Sequence, residues 1–122
     1  MNFREPDEFN TSTEAQWWEA VYPCIVRLER LMTPDPVQFP REQQNEIVTN
    51  LLSMEEKLQH VYCSHEVQGA HEKLMHAAKY MRMCYEEHLN HQKGESEYYH
   101  YQAVMLLSKL HMFLVQHNLL KS

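Results

Sequence analysis

The 122-residue chain has only two glycines and five prolines. A sheet protein full of tight turns needs residues that tolerate positive φ, so this scarcity excludes a fold of many hairpins and favours helices. Period-two alternation is missing over any useful length, which removes the ordinary strand signature as well. The three cysteines, Cys24, Cys63 and Cys84, are an odd number and form no CxxC pair, so neither a disulfide framework nor a zinc knuckle is written here. No window approaches the roughly 18 apolar residues that span a bilayer, and the first residues lack the basic start and apolar run of a secretory signal. Excess positive charge is absent too: 11 Lys and Arg stand against 17 Asp and Glu, and the formal charge of −6 repels nucleic-acid phosphates and an anionic membrane surface alike. The expectation is a cytoplasmic protein whose partner is neither nucleic acid nor membrane.

What is present is globular material, 43% apolar and 23% charged, in a length suited to one domain with its own core. Residues 1–11 are polar and read as a flexible N-terminal arm, which leaves 12–122 as a single helical-bundle domain. Thr11-Ser12-Thr13-Glu14 offers a helix start, a hydroxyl residue followed three positions on by an acid. Trp17, Val21, Cys24, Ile25, Leu28, Leu31 and Met32 then recur at three and four. Pro23 lies inside that pattern and removes a backbone donor, so a kink or break is expected there. The stretch TPDPVQFP, 33–40, reads as an extended connector.

A second helix starting near Pro40 carries Ile47, Leu51, Met54, Leu58, Val61 and Tyr62 on one face, and Ser64 is a plausible cap for the next. The third carries Val67, Ala70, Leu74, Ala77, Ala78, Met81, Cys84 and Tyr85 on one stripe. Lys93-Gly94-Glu95-Ser96 punctuates the chain, with Gly94 expected in the left-handed residue that closes helix three and Ser96 capping a fourth helix. The architecture implied is all-α, an up-down antiparallel four-helix bundle whose first helix is kinked or broken near Pro23.

Helix four holds the clearest hint of function. Ala103, Leu106, Leu107, Leu110, Phe113 and Leu114 form one apolar face, while Tyr101, Val104, Met105, Met112, Val115 and Leu119 form a second, separated stripe. A helix at the edge of a monomer needs only one apolar face, so the second predicts a cover. Either the first helix or the N-terminal arm lies there, with Trp17 or Trp18 as the lid, or a partner protein does. The commonest such partner is a second copy in a homodimer.

Nine histidines are the most unusual item of composition. Folding helices three and four back about Gly94 sets His88 opposite His100 and His91 opposite Glu97, a quartet of the ligand types that zinc accepts. The competing account needs no metal: His88 and His91 suit the negative end of a helix, and Glu97 the positive start of the next. The same fold-back sets His71 opposite His117, two imidazoles placed to hold a non-covalent haem between helices. Cys84 is one turn from His88 and Cys63 is two residues from His65, but no glycine-rich turn is present to aim backbone donors at a substrate. P-loop, dinucleotide and HExxH motifs are missing. No catalytic residue is therefore assigned, and the sequence reads as a non-enzymatic bundle acting through protein–protein contacts, as a self-associating or adaptor module. The alternative is a bundle that binds zinc or haem through histidines of helices three and four.

Overall fold

The computed structural model describes residues 13–117. Four helices follow one another: α1 Thr13–Arg30, α2 Arg41–Gln59, α3 Gln68–Leu89 and α4 Lys93–Gln116. Single 3-10 turns at Pro36–Gln38 and His65–Val67 lie in the connections, and the described residues contain no strand. Hydrogen bonds fix the directions. Gln44 of α2 reaches His88 of α3 while Leu58 at the other end of α2 meets His71, so these helices are antiparallel. Glu14 meets His117 and Leu31 meets His100, so α1 runs against α4. The result is an up-down bundle of four helices.

The helix α3 is the hub, and each of the other three packs against it. All eight residues of its sequence stripe are buried, Val67 to Tyr85. Three of those eight are alanines, Ala70, Ala77 and Ala78, small enough to admit neighbouring helices closely. Trp17, Trp18, Val21, Ile25 and Leu28 of α1 complete the core with Leu51, Met54 and Leu58 of α2 and Ala103, Leu107, Leu110 and Leu114 of α4. A fully buried leucine such as Leu74 contributes about 2 kcal/mol of apolar transfer.

Pro23 does not break the first helix, which continues through it as one element. The proline is exposed, and so is Glu19, whose carbonyl loses its partner; on a solvent-facing side water takes up that carbonyl. The chain breaks instead around Pro36. The connector is not extended throughout, because Asp35 and Gln38 form a capping box around the 3-10 turn: Asp35 Oδ1 accepts from Val37 N and Gln38 Oε1 from Asp35 N. The Thr11 helix start, the arm 1–11 and Leu119 lie outside the described residues.

The α3–α4 turn departs from the sequence reading. The left-handed residue is His91, at φ 60°, and Gly94 sits inside α4 with no positive φ. Asn90 is the C-cap, His91 N donates to His88 O at 3.0 Å and Gln92 N to Glu87 O at 2.8 Å, which is a complete Schellman closure. Histidine is tolerated in this region better than most side chains but is strained relative to glycine. The variant His91→Gly is therefore expected to be more stable by about 1 kcal/mol, read as a higher urea midpoint at unchanged m. A lower midpoint would show that the histidine ring supplies more than the turn costs.

Ser96, expected as a cap, lies within α4 and is buried, its Oγ donating to Cys84 O at 2.9 Å. Ser64 caps the short 3-10 turn by position only, since its hydroxyl makes no bond there. The helix α4 thus begins about four residues earlier than its punctuation suggests.

Candidate functional site

Among the described residues, two features outside the core stand out: a cavity at the α3–α4 tip and the outer face of α4. The cavity, about 480 Å³, opens where the connector crosses the end of the α3–α4 hairpin. Asp35, Pro36 and Val37 form one wall; Cys84 and His88 of α3, the turn residue His91, and Ser96, Glu97 and His100 of α4 form the rest. All four residues named as zinc ligands line it.

Lining one cavity is not the same as converging on one ion. Among the described residues, no three His, Cys, Asp or Glu side chains are placed to hold a metal. The reason is the centre of the turn. Tyr80 stacks on Tyr99 and Ser96 bonds to Cys84, so the two helices are in level about residue 90 and not about Gly94. His88 and His100 are consequently about 12 Å out of step along the axis at 1.5 Å per residue.

The His88 and His100 imidazoles are held by different elements. Gln44 donates its Nε2 to Phe39 O at 2.9 Å, which leaves its Oε1 to accept from His88 Nδ1, also at 2.9 Å. Leu31 O can only accept, so His100 Nε2 donates to it at 3.1 Å. His88 and His100 therefore tie the tip of the hairpin to α2 and to the end of α1. Gln44 is buried and was invisible from sequence, where it stands on a polar face between exposed Gln43 and Asn45. Its only sequence signal is its place one turn after Pro40.

Cys84 forms part of the cavity floor but is fully buried. Burial pushes its thiol up to about 11; the Ser96 hydroxyl opposes this, and the nearby Asp35 charge adds to it. The thiol is thus protonated at neutral pH and is not poised as a nucleophile. Burial raises Cys63 as well, so proximity to His65 does not activate it either.

At the opposite end of the bundle His71 and His117 do not meet. His71 accepts at Nδ1 from Trp17 Nε1 at 3.0 Å and donates from Nε2 to Leu58 O at 2.9 Å. The indole is only a donor and the carbonyl only an acceptor, so both ring nitrogens are committed and the tautomer is fixed. Trp17 lies edge-on to both His71 and Phe113, and Phe113 stacks on His117 at 4.0 Å. Trp17 and Phe113 thus stand between the two histidines. His117 instead bonds Glu14 at 3.1 Å and ties the start of α1 to the end of α4.

The outer face of α4 is the remaining feature. Tyr101, Met105, Met112 and Val115 are exposed, from 40% at Met105 to 63% at Met112, and Tyr98 joins them on the same side. Val104 is half-buried at the edge. Trp17 and Trp18 are both buried in the core, so the first helix does not supply the cover considered for this stripe. Sequence periodicity identified the stripe; only Tyr98, one turn before Tyr101, was missed. No described helix is long and apolar enough to cross a membrane.

Compared with known proteins, the chain matches no family model, no curated protein and no solved structure.

Proposed function

We propose that this domain works by protein–protein contact, through self-association on the outer face of α4. One observation carries the reading: a row of two tyrosines, two methionines and a valine runs along one side of a helix whose opposite side is consumed by the core. Scattered exposed hydrophobics need no explanation, whereas an aligned patch of several hundred Å², the size of the largest patch on a typical monomer and often functional, supports a contact surface. Methionine suits such a surface because its flexible thioether adapts to a facing side chain. The tip cavity supports no comparable reading as a metal centre, and both ring nitrogens of His71 are already bonded within the core.

Light scattering over a concentration series provides the test. The wild-type chain is expected to rise from 14.7 kDa towards twice that mass, and Met105→Glu/Met112→Glu is expected to stay at 14.7 kDa with an unchanged helical spectrum. Both positions are exposed, so the charges add no buried cost within one copy. A wild-type chain that remains at 14.7 kDa throughout rules out self-association.

A further inference from the structure

Apart from Tyr98, the exposed row on α4 is symmetric about Ser108 to within one residue. Tyr101 stands seven residues before it and Val115 seven after, Met105 three before and Met112 four after. Two copies related by a two-fold axis place a shared helix antiparallel to itself, so each copy reads the other in reverse. An axis through Ser108 then sets Tyr101 of one copy against Val115 of the other, and Met105 within one residue of Met112. We infer that the outer face of α4 is occupied by a second copy of this chain, its α4 antiparallel and crossing at Ser108. This rests on the contact reading above and adds the partner's direction and register.

The crossing point suits its task. Serine is the smallest side chain in the row, and small residues let two helices approach to the near end of the usual 8–10 Å between axes. Its Oγ already donates to Val104 O at 3.0 Å, so excluding water there leaves no orphaned proton. The larger residues lie on either side, where the helices diverge and leave space for them.

Charge points the same way. Each copy carries a formal −6, so two copies repel wherever their acidic surfaces meet. From Tyr98 to Gln116 the chain has a single Lys and no Asp, Glu or Arg. That residue, Lys109, is exposed at the edge of the row. The outer face of α4 is thus where copies can approach without opposing carboxylates. With side chains of roughly 150–200 Å², the exposed fractions of the row, Tyr98 included, amount to about 500 Å² per copy, or about 1,000 Å² for the pair, which is the size of weak, transient interfaces. A weak dimer is expected, tightened by salt, which screens both the net charge and the two Lys109 ammonium groups near the axis. The arm 1–11 is a poor rival occupant, since it offers Met1, Phe3 and Phe9 among Arg4, Glu5, Pro6, Asp7 and Glu8.

Cysteine crosslinking tests the register. Helix axes about 8–9 Å apart, with Cα atoms about 2.3 Å from each axis, bring the two Ser108 Cα atoms to roughly 4 Å, close to the span of a disulfide. In a Cys63→Ser background, Ser108→Cys is expected to form a covalent dimer under mild oxidation at least tenfold faster than Met105→Cys alone. A mixture of Met105→Cys and Met112→Cys chains is expected to crosslink as the mixed pair. If the wild-type chain dimerises by light scattering while Ser108→Cys crosslinks no faster than Met105→Cys, the antiparallel register is overturned and the contact face stands. A wild-type chain that stays monomeric to about 0.5 mM overturns both, since that excludes even a weak dimer. If deleting residues 1–11 converts a monomer into a dimer, the arm is the native occupant and the second copy is overturned.

Discussion

The variant His71→Leu is expected to lose about 2–3 kcal/mol of stability, because it leaves the buried Trp17 indole N–H with no acceptor. Leu58 O suffers less, since it keeps the backbone N–H of Val61. Against a total of about 5–15 kcal/mol for a domain, this is a large fraction and corresponds to a melting temperature lower by roughly 10 °C. The complementary change, Trp17→Phe, orphans His71 Nδ1 and removes a ring from the core, so it is destabilising in its own right. The informative measurement is the pair. Trp17→Phe/His71→Leu replaces donor and acceptor together, and it should be about 1 kcal/mol or more less damaging than the two single losses added. Strict additivity in urea unfolding would mean that the hydrogen bond contributes nothing beyond packing.

Alkaline instability is the second large effect. Cys84 ionises near 9.0 in the unfolded chain and at about 11 when folded, because burial disfavours its thiolate. Between these values the unfolded state has released a proton that the folded state retains. Stability is thus fully present below pH 9 and declines as the pH rises through 11, by about 2–3 kcal/mol from this one thiol at 1.36 kcal/mol per unit. Tyr85, pushed up by burial and by the nearby Cys84 and Asp35, and Cys24, pushed up by burial, act with the same sign. Unfolding midpoints should therefore fall steeply from pH 9 to 11, and Cys84→Ala, although weaker at pH 7, should show a shallower fall. Equal slopes in the two proteins would remove Cys84 as the cause.

The helix count and the core were legible because apolar spacing is a local property. Every residue assigned to the α3 stripe is buried, and Ala103, Leu107, Leu110 and Leu114 of the inner α4 face are buried too. The second α4 stripe was legible for the same reason. The α3–α4 turn was misplaced because glycine is the residue best suited to a left-handed φ, yet His91 takes that position and Gly94 is left in a helix that needs nothing from it. That shift moved the register between the two helices. The zinc quartet and the haem pair were both built on the misplaced centre, so one error of a few residues displaced both proposed sites by about 12 Å.

Amino-acid order alone set the number of helices, which side of each faces inward, and the row of apolar side chains left over on α4, since each follows from 100° of rotation per residue. Tertiary structure decided where four of the histidines spend their ring nitrogens. Trp17 with His71, Gln44 with His88, Leu31 with His100 and Glu14 with His117 are joined across 54, 44, 69 and 103 residues. Such pairings depend on helix level and on which carbonyl or indole arrives opposite, and these are fixed by turn geometry and packing together, beyond the reach of any local pattern.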